Sequence, residues 1–310
     1  MEANKPVLGI DIGGTAVKLG LVNPATGSVL ASAEASVSFD NYRTPIMQTV
    51  QHTAEAFLKA QSLRADHLAG IGVSATGQID ARQGIVAGTG GNLPGWDGAS
   101  IVPSLSEKFG LPVTVANDAN CMCLGEAWVG AAAGYANVIG ITIGTGLGGG
   151  ILSGGKLLEG ARGLGGELGH LQIHALDGIP CGCGQRGCWE KYASTTALVH
   201  RAKVIDPSLT DGRMIFDKAA KGSLPILALL DSWTDEISSG LIGLIHVFNP
   251  QIILIGGGVS SQQKMLIDPL AAKIRAGVMP AFAEGLEIRA AALKNNAGLV
   301  GAVYYFCHYH

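Results

Sequence analysis

VLGIDIGGTAVKLGL, residues 7–21, decides how this chain is read. Val7 to Ile12 is a short apolar run that ends on Gly13-Gly14, and Ala16 to Val22 alternates after it. That pattern is a strand, a glycine turn and a second strand. Shifted by 131 positions, the stretch lies over VIGITIGTGLGGGIL, residues 138–152. Val7, Gly9, Ile10, Ile12, Gly13 and Leu21 then match Val138, Gly140, Ile141, Ile143, Gly144 and Leu152. Two strands rich in Gly and Ile match easily by composition; the other explanation is a duplicated domain. Two copies facing each other would set two glycine hairpins at the mouth of one cleft, where open α/β sheets bind ligands.

Outward from this stretch, Leu68 to Ser74 and Leu111 to Ala116 read as strands, and Pro45 to Leu63 and Ala119 to Val129 as helices. The second half repeats the grammar. Asn137 to Ile143, Gly150 to Ser153 and Gln251 to Ile255 are strands, and Leu224 to Phe248 and Lys264 to Ala276 are helices. Strands alternating with helices predict an α/β fold with a largely parallel sheet. The expected division is a smaller domain over 1–116 and a larger one over 117–296. A C-terminal helix, about 297–310, would pack back on the first.

The chain has 46 glycines in 310 residues, but 47% hydrophobic and 15% charged residues allow a large buried core, which excludes collagen and a disordered tract. With 21 basic against 24 acidic residues there is no cationic surface for nucleic acid. The run Leu241 to Gly258 is interrupted by His246, Asn249, Pro250 and Gln251, and Met1 to Ile10 lacks an apolar leader core. A soluble cytoplasmic protein without a membrane partner is expected. Six cysteines are too few for a disulfide scaffold, and three crowd into Cys181, Cys183 and Cys188.

Asp11, Gly13, Gly14 and Thr15 form DxGGT at a strand end. Glycines let backbone N–H groups approach phosphate oxygens, Thr15 adds a hydroxyl, and Asp11 suits a hydrated Mg²⁺; an ordinary tight hairpin would need only Gly-Gly. A second cluster, Gly144, Thr145, Gly146 and Gly148 to Gly150, lacks the Walker lysine and opens no clear helix. A phosphate cradle remains. Gly256-Gly257-Gly258 could pass a nucleotide or simply turn into the next helix. Asn117-Asp118 is either a helix cap or a base for a sugar hydroxyl.

His170, Cys181, Cys183 and Cys188 offer three thiolates and one imidazole, the donor set of a closed, structural Zn²⁺ site, with His174 as an alternative nitrogen. Glu167 and Glu190 bracket this segment. They are either solvated surface charges or acceptors for a polyhydroxylated ligand. Cys121, Cys123 and Cys307 read as small core residues.

These motifs together closely resemble the ROK family (repressors, open reading frames and kinases) of the actin-like ATPase superfamily. The likeness runs almost end to end: DIGGT at 11–15, NLPGW at 92–96, Asn117-Asp118, IGTGLGGGI at 143–151, ExGH at 167–170, CGCGQRGCWE at 181–190, IGGG at 255–258 and AGLVGA at 297–302. The resemblance implies duplicated actin-like ATPase (ribonuclease H-like) domains with a cleft between them, and an ATP-dependent sugar kinase. It implies Asp118 as general base toward the sugar 6-hydroxyl. Gly77, Asn92, Asn117, Glu167, His170 and Glu190 would bind the sugar, with His170 also on zinc. Gly13, Gly14, Thr15, Thr145, Gly146 and Gly257 would hold ATP, with Asp11 near Mg²⁺. The partners expected are a sugar and ATP, and the assembly a homodimer or homotetramer. A polyphosphate donor is the alternative to ATP.

For the substrate, Ser74-Ala75-Thr76-Gly77 stands where glucokinases of the family usually have Pro-Gly. That form is similar to N-acetylmannosamine kinases, whereas NLPGW and GGELGH are glucokinase-like. The lean is slightly to N-acetylmannosamine over glucose, with N-acetylglucosamine third. The family's repressors carry a helix-turn-helix domain before DIGGT, where ten residues precede Asp11 here; a sugar-sensing regulator is the non-enzyme alternative.

Overall fold

In the computed structural model, which describes residues 5–89 and 93–309, the 7–22 stretch folds as an antiparallel pair. β1 (Val7–Ile12) meets β2 (Ala16–Val22) from Val7↔Val22 to Ile12↔Val17, and β3 (Val29–Ser36) continues the meander. Helix α1 (Ile46–Ala60) leads to β4 (Gly70–Ala75), which lies parallel to β1. A ribbon of β5 (Gln78–Asp80) and β6 (Ile85–Gly88), then α2 (Ile101–Phe109), leads to β7 (Val113–Asn117), parallel to β4. The sheet order is β3-β2-β1-β4-β7. One face buries Leu8, Ile10, Ile12 and Leu19 against Val50 and Phe57 of α1 and Leu105 of α2.

After α3 (Asp118–Val129), β8 (Val138–Ile143) and β9 (Leu147–Ser153) form a second antiparallel pair, followed by the short β10 (Lys156–Leu157). Helices α4 (Glu190–Ala193), α5 (Thr195–Ile205), α6 (Gly212–Ala220) and the 25-residue α7 (Leu224–Phe248) precede β11 (Ile252–Gly256). A π-helical turn, Gln263–Ile267, opens α8 (Asp268–Gly277), and α9 (Pro280–Ala283) leads to β12 (Glu287–Ala290) and α10 (Ala297–His308). This sheet runs β10-β9-β8-β11-β12, the order of the first. Its core joins Ile139, Ile141 and Ile143 to Trp189, Trp233 and Ile237. Duplication, not composition, explains the internal match.

The chain falls into two compact units: one up to Gly134 with Leu157–Gly166 and Leu293 onward, the other Tyr135–Lys156 with Glu167–Ala292. The first therefore extends past residue 116. Its α3 packs so closely on α10 that a Cβ at Gly301 would stand 1.7 Å from the Cys121 carbonyl oxygen. α10 also lies on β4, where a Cβ at Gly72 would stand 2.3 Å from the Ala302 oxygen. Strand β9 begins at Leu147, ahead of the expected Gly150, because antiparallel pairing with β8 carries the glycines that periodicity cannot score. Among the described residues, no helix is long and apolar enough to cross a membrane.

Candidate active site

In the first unit, the β1–β2 turn spans Gly13, Gly14, Thr15 and Ala16 and closes with the Gly13 N–H on the Ala16 oxygen at 2.9 Å. Thr15 is exposed at its tip, and the Tyr42 hydroxyl donates to the Gly14 oxygen at 2.7 Å. Asp11 precedes this turn. Its Oδ1 accepts from the buried Ser74 hydroxyl at 2.6 Å, and burial raises its carboxyl above the usual range while that hydrogen bond pulls it back. Gly298, in the first turn of α10, makes room for the same carboxylate: a Cβ there would stand 2.6 Å from Oδ1. Sequence reading missed both neighbours, since parallel-strand register, not local spacing, sets Ser74 opposite Asp11.

Of the pair at 117–118, one residue supplies the helix cap. Asn117 is the cap: its Oδ1 accepts from the Ala119 and Asn120 N–H groups at 2.9 and 3.3 Å. Its Nδ2 donates to the Gly77 oxygen at 2.9 Å, so Asn117 and Gly77 are bound together. Asp118 opens the helix half-buried, with Oδ1 accepting from the Ala119 N–H at 2.8 Å, where the helix dipole favours a carboxylate. Gly77 has φ +101°, a conformation suited to glycine, and the buried Trp96 donates to the Thr76 oxygen at 2.9 Å. Asn92 lies outside the described residues.

In the second unit the β8–β9 turn is Gly144, Thr145 and Gly146, closed by the Gly144 N–H on the Gly146 oxygen at 3.0 Å, with Thr145 exposed. Gly257, at φ +89°, packs against this strand end, where a Cβ would stand 2.2 Å from the Ile143 oxygen. A Cβ at Gly146 would stand 2.9 Å from Glu190 Oε2. The first carboxylate of α4 thus borders the glycine turn.

Behind Glu190 the metal candidates converge. His170, Cys181, Cys183 and Cys188 bring one donor atom each to within 4.8 Å of one another. The Cys183 and Cys188 sulfurs are 3.5 Å apart, and Cys181 Sγ is 3.7 Å from His170 Nδ1. Sulfurs on a tetrahedral zinc stand about 3.8 Å apart, so the donor set fits that ion in identity and spacing. Burial pushes the Cys181 thiol up to about 12, while the Gln185 N–H lowers Cys183. Cys181 Sγ donates to Glu190 Oε1 at 3.1 Å. His170 turns its other nitrogen, Nε2, toward Glu167 Oε2 at 3.9 Å. Burial raises the Glu167 carboxyl, His170 lowers it, and Glu190 raises it again. His174 is not the nitrogen donor of this cluster: its Nε2 pairs with Glu236 Oε2 at 2.9 Å and its ring lies on Tyr192.

Cys121 and Cys123 are buried and Cys307 is partly so, as expected of core thiols. The ROK family pattern matches residues 7–308. Glucokinase of Thermotoga maritima is 34% identical over 310 residues, covering 96% of this chain and 95% of the relative. The structure of a ROK family glucokinase from Streptomyces griseus in complex with glucose and AMPPNP superposes with a TM-score of 0.81 at 31% identity, covering 96% of this chain and 98% of that one. A candidate N-acetylmannosamine kinase from Listeria monocytogenes gives 0.79 at 29%, covering 97% and 98%. With the repeated sheets, both glycine turns and the Cys₃His cluster already in place, these matches carry one conclusion: the chain belongs to the ROK family.

Proposed function

We propose that this ROK-family sugar kinase transfers the γ-phosphoryl group of ATP to the 6-hydroxyl of a hexose, with glucose the first substrate to test. The observation that carries the reading is the division of labour at the start of α3. Asn117 takes the N-cap bonds, so capping alone does not account for the Asp118 carboxylate, which is read as the base. As the 6-oxygen attacks phosphorus, the bond to the β,γ-bridging oxygen breaks, ADP leaves, and Asp118 takes the hydroxyl proton.

Gly77, Asn92, Asn117, Glu167, His170 and Glu190 would hold the sugar hydroxyls. Gly13, Gly14, Thr15, Thr145 and Gly146 would hold the phosphates, and Gly257 the rest of the nucleotide. Positioning and charge neutralisation then supply most of the rate. The Asp11 carboxylate with its Ser74 partner fits a role toward a hydrated Mg²⁺, which would supply charge neutralisation of the phosphates. Zn²⁺ on His170, Cys181, Cys183 and Cys188 would fill four positions and serve structure. His170 would then present Nε2 and Glu190 its Oε2 toward the sugar.

Glucose moves ahead of N-acetylmannosamine for a physical reason. In the 74–77 loop, the small side chains of Ser74 and Ala75 are both fully buried, with Ser74 committed to Asp11, so their size does not argue for a roomier sugar pocket. Similarity to named glucokinases points the same way. The reading also favours the cytoplasm, where ATP is available. An ADP-release assay across glucose, mannose, N-acetylglucosamine and N-acetylmannosamine, with ATP and polyphosphate as donors, tests it. The highest kcat/KM is expected for glucose with ATP; sugar binding without turnover would favour the regulator.

A further inference from the structure

Asn120 has no part in the steps above. It lies two residues after Asp118 in α3 and is 1% exposed. Its Nδ2 donates to the Gly165 oxygen at 3.0 Å, while Oδ1 finds no partner among the described residues. A buried amide with one end unmatched lowers stability, so its presence calls for another explanation. Gly165 belongs to Leu157–Gly166, an excursion into the first unit flanked on both sides by chain of the second, and the next residue is Glu167.

The excursion is fastened elsewhere too. The Leu157 N–H donates to the Tyr309 hydroxyl at 2.8 Å, the Tyr305 hydroxyl donates to Glu159 Oε1 at 2.5 Å, and the two rings stack 4.9 Å apart. Burial and the Glu159 carboxylate push the Tyr305 phenol up, so it stays a donor. The Gly165 N–H closes the loop on the Glu159 oxygen at 2.8 Å. Little slack remains: a Cβ at Gly165 would stand 2.3 Å from the Leu158 oxygen, and one at Gly163 2.5 Å from Ala81 Cβ.

We infer that Asn120 is a positioning residue for Glu167: its bond to Gly165 fixes the backbone two residues before that carboxylate. The inference rests on the sugar-kinase reading of Glu167. Its test compares Asn120→Ala, the isosteric Asn120→Asp, which removes the donor, and Tyr305→Phe with wild type. The readouts are sugar and ATP KM, kcat, metal per chain, thermal midpoint and hydrogen exchange over residues 157–167.

In both Asn120 variants sugar KM rises about tenfold and kcat falls, while ATP KM stays within about twofold and metal content is unchanged. Exchange over 157–167 accelerates. Tyr305→Phe moves sugar KM the same way by about threefold, and decides the matter if neither Asn120 variant folds. Sugar KM equal to wild type in a folded variant overturns the inference, as does an equal rise in both substrates' KM, which would mark general loosening. Wild type that phosphorylates no sugar would instead overturn the kinase reading, whatever Asn120 does.

Discussion

The two sheets are built alike, and aligning their registers shows where their polar residues differ. Asp11 pairs with Ser74 across β1 and β4; at the same place across β8 and β11, Thr142 pairs with Gly256. Continuing to the outer strand, Ala116 corresponds to Ala291, so Asn117 and Asp118 correspond to Ala292 and Leu293. The sheet therefore folds without a carboxylate at any of these positions. Asp11 and Asp118 are thus carboxylates that the second sheet does without, whereas Asn117 also caps α3. The turns differ in register as well: four residues lie between the paired Ile12 and Val17 and three between the paired Ile143 and Leu147, so Val7 faces Val22 whereas Val138 faces Leu152.

Asp118 gives the sharpest contrast with its apolar counterpart. Asp118→Asn keeps the size and the N-terminal hydrogen-bond acceptor but removes the base. Its kcat should fall about 10³-fold with sugar affinity within about an order of magnitude, as read by steady-state kinetics and calorimetry. Unimpaired turnover would make Asp118 as idle as Leu293.

The second contrast is the link between the third and fourth strands of each sheet. The first unit spends α1 there; the second inserts the Cys₃His segment and four helices between β10 and β11. Cys188→Ser should lose metal and raise sugar KM about tenfold or more together, since Glu190 follows Cys188 by two residues and His170 stands beside Glu167. Elemental analysis should return about one zinc per wild-type chain. Metal-free protein with full sugar affinity would separate this segment from the site.

Much of this contrast was legible in sequence because β1, β2 and β8 announce themselves by apolar runs ending in glycine, and the Cys₃His spacing is local. Leu224–Phe248 appeared at its full length, because 25 residues of helical spacing leave little room for misreading. What was hidden is set by register and packing. Ser74 looked like part of a sugar loop until β4 placed it against Asp11. Gly298 looked like one of the motif glycines until α10 placed it against the same carboxylate. The edge strand β3 escaped because VLASAEAS alternates small residues that carry little apolar signal, and β12 because EIRA is short.

Asp11 allows the comparison to be tested in both directions. Asp11→Asn should lower kcat about 10- to 100-fold by weakening its role toward the hydrated metal ion, yet raise the thermal midpoint at pH 7, because burial disfavours the charge. The reciprocal Thr142→Asp, where Gly256 supplies no hydroxyl, should destabilise by about 1 to 3 kcal/mol in urea unfolding and contribute nothing to turnover. Equal stability in the two variants would mean the sheets tolerate a carboxylate equally well.

The smallest effect is the pH dependence of that stability difference, and its sign follows from the direction of the Asp11 shift. The folded carboxyl titrates above 3.8, near which the unfolded one titrates, so between the two values the native state holds more protons. Native stability then falls as pH rises through that window, and the penalty is complete above it. Asp11→Asn removes the penalty. Its advantage over wild type should be greatest above the folded value and shrink as pH falls through it toward 3.8. Urea midpoints at several pH values without Mg²⁺ measure it. An advantage that grows toward acid would mean that the Ser74 hydrogen bond outweighs burial and that the carboxylate stabilises the first sheet after all.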